Sequence, residues 1–79
     1  MIDDIRYLLV FARIVETGSV SGAAAALQLS AATVSAHLGK LEHSMGTALL
    51  YRNTRKLSLT PAGAKLYTSA QAMQQLYAD

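Results

Sequence analysis

The groups in this 79-residue chain whose types and spacing can do chemistry are basic and hydroxyl side chains. Arg52, Arg55 and Lys56 lie close together, with only Asn53 and Thr54 between them. A basic tip of this kind engages phosphate or a narrow minor groove, and each phosphate it neutralises adds about 0.9 to the salt slope of binding. A second set follows Ser30: Ala31, Ala32, Thr33, Ser35, Ala36, His37 and Lys40. The hydroxyls of Thr33 and Ser35 and the ammonium of Lys40 can meet a phosphate, or the hydroxyls can merely cap and solvate a helix. Ser19 and Ser21 offer hydroxyls and backbone amides to a phosphate at a helix start. Plainer readings stand beside these. Ser19 suits a simple cap, Lys40 an ordinary surface lysine, and Arg52 a brace between a hairpin and the body.

Charge is distributed unevenly. Between Ser30 and Lys65, Lys40, Arg52, Arg55, Lys56 and Lys65 face Glu42 alone, whereas elsewhere Arg6 and Arg13 face Asp3, Asp4, Glu16 and Asp79. The net charge of +2 thus conceals a basic half, the electrostatic footprint of a polyanion-binding surface.

Catalysis finds little support. His37 and His43 are six residues apart, about 240° around a helix, and cannot share a metal. Asp3 and Asp4 are adjacent at a terminus with no partner acid, and neither a nucleophile elbow nor a glycine-rich phosphate loop occurs. No catalytic residue, metal or cofactor is expected. The absence of cysteine excludes disulfides and thiolate zinc sites. No apolar run reaches the roughly 20 residues that span a bilayer. The acidic start Met1-Ile2-Asp3-Asp4 lacks a signal peptide's basic region, so a cytoplasmic protein is expected.

The elements that must position these groups are mostly helices. Residues 3–17 carry Ile5, Leu8, Leu9, Ala12 and Val15 at a helical period, widened by Tyr7, Phe11 and Ile14 into a core-facing stripe. Gly18 is the expected stop and Ser19 the cap of a second helix from Val20 to about Leu27. Gln28 falls where the following turn calls for a left-handed backbone. A residue with a Cβ costs roughly 1–2 kcal/mol there, so the turn is either strained or takes another path. Ser30 caps a third helix running to about Ser44, with Val34, Leu38, Leu41 and Met45 as its inward stripe. Ala32, Ala36, Lys40 and His43 lie on the far side. The break between the second and third helices is so short that they must cross steeply, with Ala23 and Ala24 permitting close contact. That is the pattern of a helix-turn-helix.

Gly46 ends the third helix, and Ala48 to Leu59 reads as a short β-hairpin with a polar, basic tip, a wing. An irregular loop is the alternative. Thr60 caps a last helix with Pro61 in its first position. Along it Leu66, Ala70, Met73 and Tyr77 form a seam, either packed on this domain or shared with a second copy. The chain reaches Asp79 without a capping signal, as a helix cut short would. One domain of this length buries only about 60–65% of its unfolded surface, so a partner subunit or larger parent is expected.

These residues resemble the N-terminal DNA-binding domain of LysR-type transcriptional regulators. The likeness covers nearly the whole chain, through Val15-Glu16-Thr17-Gly18-Ser19-Val20, Ala23-Ala24 with Leu27, Ser30 with Val34-Ser35, Leu41-Glu42, Met45-Gly46 with Leu49-Leu50, Arg52, Arg55-Lys56-Leu57 and Leu59-Thr60-Pro61-Ala62-Gly63. Each piece is weak alone. Together, in order and at family spacing, they are highly specific. The resemblance implies a mainly α fold: a winged helix-turn-helix, with a three-helix core and a short β-hairpin wing, over residues 1–59, and a linker helix over 60–79. It implies sequence-specific double-stranded DNA binding by a bacterial regulator, as a dimer on an inverted-repeat promoter site. Assembly to a tetramer in a full-length parent is common, and a small-molecule inducer acts through a C-terminal domain not contained in these residues, which makes the chain a fragment or a short form.

On this resemblance the DNA-binding residues are Ser21, Ala31, Ala32, Thr33, Ser35, Ala36, Lys40, Arg52, Arg55 and Lys56, and the dimer interface is Leu66, Ala70, Met73 and Tyr77. Two departures bear on recognition. Glutamine-proline usually follows the serine cap where this chain has Ala31-Ala32, and a long basic residue often stands where it has Ala36. Thin base readout follows, with wing contacts and DNA shape carrying more of the specificity. Glu42, although typical of the family, reads as structural, because a carboxylate facing DNA would be repelled. The competing reading is a winged-helix protein-interaction or dimerisation module with weak or no DNA binding. The alanines at 31, 32 and 36 favour it, and the basic cluster at 52–56 opposes it.

Overall fold

The computed structural model describes residues 2–52 and 57–78. Helix α1 (Ile2–Thr17) is followed by α2 (Val20–Leu27), α3 (Ala31–Met45), strands β1 (Leu50–Arg52) and β2 (Leu57–Leu59), and α4 (Pro61–Ala78). The expected elements all form, with α1 starting one residue earlier and α3 ending one residue later than their periodicity suggested.

Of the expected α1 stripe, Phe11, Ala12 and Ile14 are buried and Ile5, Tyr7, Leu8, Leu9 and Val15 only half-buried, while Val10, outside that stripe, is buried too. Val10, Phe11 and Ile14 are buried among Ala23 and Ala24 of α2, Val34, Leu38 and Leu41 of α3, and Leu49 and Leu50 at the hairpin. Helix α2 leaves α1 at a bend of 118°. The small side chains of Ala23 and Ala24, almost wholly buried, let the short helix lie close to its neighbours.

Two helix ends repeat one device. After α3, Gly46 takes a left-handed conformation (φ 73°), its N–H and that of Thr47 bonding back to Glu42 O at 2.9 and 3.3 Å. After α2 the same job falls to Gln28 (φ 58°, ψ 43°), with Leu29 N–H bonding back to Ala24 O at 2.9 Å. The tight turn is therefore built on the strained conformation, by a residue that carries a Cβ. The bonds give the next segment its direction, and Ser30 then starts α3 by accepting from Thr33 N at 3.1 Å.

Strands β1 and β2 pair antiparallel, Leu50 with Leu59, Tyr51 with Ser58 and Arg52 with Leu57. Thr60 joins this hairpin to α4. Its hydroxyl donates to Ala48 O (2.8 Å) and accepts from Gly63 N (3.0 Å), while its N–H donates to Leu49 O (3.1 Å). Gly63 is needed for this close passage, since a Cβ there would sit 2.0 Å from Leu49 O.

One expectation is corrected, and the alternative left open for the α4 seam is decided for its first residues. Met45 closes the α3 stripe in sequence, but it is 46% exposed. It occupies the last residue of the helix, beside a shallow groove shared with Ala62, Lys65, Leu66 and Ser69 instead of the core. Of the two readings of the α4 seam, packing on this domain holds for Leu66 and Ala70. Ala70 has no exposed surface and Leu66 packs on the core, together with Ala62 and Tyr67. The Tyr67 ring meets Phe11 edge-on at 6.5 Å. The inward side of α4 is thus satisfied within the protomer. Leu76, 80% exposed, lies away from it.

Candidate nucleic-acid interface

Helix α3 offers the candidate interface because its two sides differ sharply. Val34, Leu38 and Leu41 are buried and fix its rotation. That rotation leaves Ala31, Ala32, Ser35, Ala36, Gly39 and Lys40 exposed along one surface. Thr33 is half-buried, and its Oγ1 accepts from the Ser30 hydroxyl at 2.8 Å, which ties it to the helix cap.

His37 is not part of the open surface. Its ring lies 4.9 Å from that of Tyr7 on α1, tilted by 48°. Its Nδ1 is buried without a hydrogen-bond partner. The sequence counted His37 among the polar side chains left to the recognition helix; packing against α1 withdraws it.

The start of α2 lies close to the start of α3 in sequence. Ser19 Oγ accepts from Gly22 N at 2.8 Å and so acts as the cap, whereas Ser21 is exposed. Lys40 and Lys65 are exposed cations.

The hairpin is held in place from behind. Glu42 Oε2 accepts from Leu49 N at 2.8 Å and from Leu50 N at 3.4 Å. The structural role read for this carboxylate acquires a definite form: it anchors the start of β1 to α3. The sequence carried the sign of that role but not its partner, because the contact spans seven residues and depends on the turn at Gly46. Arg52 belongs to β1 by its backbone, and its side chain lies outside the described residues, as do Arg55 and Lys56 altogether. The side chain of Tyr77 is likewise outside them. Ser21, Ala31, Ala32, Ser35, Ala36 and Lys40 are all exposed, whereas Leu66 and Ala70 are turned inward and Met73 is half-buried.

An antiparallel two-stranded wing after a three-helix core, with an open second helix of the turn, is a winged helix-turn-helix. Among the described residues no single helix is long and apolar enough to cross a membrane.

Comparison with known proteins agrees with this architecture. Residues 5–64 match the family described as bacterial regulatory helix-turn-helix protein, lysR family. The transcriptional regulator CrgA of Neisseria meningitidis is 44% identical, over 86% of this chain and 23% of that protein. The transcriptional activator AaeR of Escherichia coli K12 is 38% identical, over 94% of this chain and 26% of that protein. The chain therefore spans about a quarter of the length of these relatives. Among solved structures, the BenM DNA-binding domain in complex with catB site 1 DNA superposes with a TM-score of 0.87 at 30% identity, over 92% of this chain and 81% of that one. Full-length LysG from Corynebacterium glutamicum gives 0.86 at 35% identity, over 94% of this chain and 26% of that one. The match in family pattern, sequence and three-dimensional fold places this chain in the LysR family of bacterial regulatory helix-turn-helix proteins.

Proposed function

We propose that this chain is the DNA-reading part of a bacterial LysR-type transcriptional regulator, binding double-stranded DNA sequence-specifically as a dimer on an inverted-repeat promoter site. The observation that carries the proposal is the open surface of α3 in a winged-helix frame that superposes on a DNA-bound relative. In this reading Ala31, Ala32, Thr33, Ser35 and Ala36 approach base edges in the major groove. Ser21, Lys40, Arg52, Arg55 and Lys56 meet phosphates or the minor groove beside the wing. The activity is binding, without catalysis, metal or cofactor, and it operates in the cytoplasm on the promoter.

The dimer forms through the later turns of α4, beyond the residues that pack on the protomer core. The helix's 18 residues span about 27 Å. The core-packed residues Ala62, Leu66, Tyr67 and Ala70 all fall in its first ten positions. Met73, Leu76 and Tyr77 follow on the later turns, and a helix end that leaves Leu76 in water gains from a partner helix. Leu66 and Ala70 serve inside the protomer. An inducer-binding domain beyond these residues, and tetramer assembly, belong to the parent protein.

The experiment is a duplex titration at several salt concentrations with the native chain and with Arg55→Glu/Lys56→Glu, alongside sedimentation of both proteins. DNA binding that collapses in the variant while its sedimentation is unchanged supports the proposal. Duplex affinity that is unchanged by the double reversal refutes the phosphate role of these two residues. A native chain that dimerises yet binds no duplex favours the protein-interaction module.

A further inference from the structure

His37 places an anomaly on the recognition helix. Its Nδ1 is buried with no hydrogen-bond partner among the described residues, and its ring is held 4.9 Å from that of Tyr7, tilted by 48°. A neutral imidazole carries one proton, on either nitrogen. Buried N–H groups without an acceptor are rarer than buried acceptors without a donor. The proton therefore belongs on Nε2. Nε2 has no bond to any described residue, yet it is not shut in as Nδ1 is, so it reaches solvent. Contact with Tyr7 withdraws the inner edge of the ring and leaves the outer edge as a single N–H donor of fixed direction.

That donor sits at a border. Val34, Leu38 and Leu41 bury one side of α3, Ala36 and Lys40 are exposed on the other, and His37 is half-buried between them. Lys40, three residues on, stands on the same edge of the helix. Neither group is paired with a carboxylate among the described residues. A helix lying in the major groove has a phosphate backbone along each edge. A neutral donor and a cation one turn apart suit one phosphate, whose oxygens accept from both. We infer that His37 donates Nε2–H to a backbone phosphate of the duplex, the same phosphate that Lys40 meets from one turn further on. The inference rests on the DNA-binding reading above and adds a neutral contact to its cationic ones.

The test uses the duplex that the native chain selects from a random pool. His37→Phe keeps a ring against Tyr7 and deletes both nitrogens. Its thermal midpoint holds or rises, because the orphaned Nδ1 is removed with them. Its affinity for the selected duplex falls about tenfold, the loss of one hydrogen bond to a charged group, and it falls alike on unrelated duplexes, because a phosphate carries no sequence. The slope of log affinity against log salt stays as in the native chain, since a neutral donor releases no counterion, whereas Lys40→Ala lowers it by about 0.9. The two losses are not additive in the double variant. Imidazole nitrogen NMR spectra at about pH 8, above the usual imidazole range, show the Nε2–H tautomer in the free chain. A His37→Phe chain that binds as tightly as the native one overturns the inference, and so does an Nδ1–H tautomer. Midpoint and affinity that fall together assign the residue to packing and overturn it as well. Additive losses place the two groups on different phosphates and overturn the shared contact. A native chain that binds no duplex at any salt refutes the DNA-binding reading, and this inference with it.

Discussion

Replacing Gln28 by glycine should stabilise the protein, because the two Schellman-type helix ends differ in only one respect that matters. Gly46 adopts φ 73° without a side chain, whereas Gln28 adopts φ 58° with one. A Cβ in this region costs roughly 1–2 kcal/mol. Gln28 is exposed, so removing its side chain takes little packing with it. Glycine also makes the unfolded chain more flexible, which subtracts about 0.4–1 kcal/mol. The net gain lies between about 0 and 1.6 kcal/mol, centred on about 0.8, and each kcal/mol moves the midpoint of a domain this size by about 4–8 °C. A rise of about 3–6 °C is therefore expected at the centre of that range. Gln28→Ala, which keeps the Cβ, should leave the midpoint nearly unchanged. Thermal unfolding followed by far-ultraviolet circular dichroism measures both, and urea titration with an unaltered m-value confirms that the change is one of stability and not of the surface exposed on unfolding. A glycine variant no more stable than the alanine variant would refute the claim that strain is stored at this turn.

Other perturbations probe the anchoring of the wing and its charge. Gly63→Ala places a Cβ 2.0 Å from Leu49 O, at the crossing where Thr60 also bonds, so a loss of about 3 kcal/mol or failure to fold is expected in denaturant titration. Glu42→Ala leaves the N–H groups of Leu49 and Leu50 without their carboxylate acceptor; it should cost about 2–3 kcal/mol by the same assay, and Glu42→Gln should recover part of that. Single neutralisation of Arg55 or Lys56 should reduce the slope of log affinity against log salt by about 0.9 each, as seen in duplex titrations; an unchanged slope would remove that residue from the phosphate contacts.

The framework was legible in the sequence because its signals are local. Ser19, Ser30 and Thr60 cap the helices they precede, and Phe11 and Ile14, which widened the α1 stripe, lie in the core. Val10, outside the period as read, is buried with them, whereas Ile5, Leu8, Leu9 and Val15 are only half-buried. Contacts that close over longer separations were less legible. Met45 continues a perfect helical period, yet periodicity does not say where the neighbouring helix ends, and the residue lies in a surface groove. The α4 seam was readable as apolar but not as inward or outward, since an alanine such as Ala70 fits both a protomer core and a dimer contact. His37 sits on the polar half of α3 by sequence, but its ring finds Tyr7 across the helix crossing.

The most direct test of the central claim is selection of duplexes from a random pool by this 79-residue chain, sequenced after rounds at low and at near-physiological salt. An enriched inverted repeat, retained at higher salt with reduced affinity, is the predicted result. Recovery of salt-sensitive duplexes sharing no sequence, or of none from a folded sample, would contradict it.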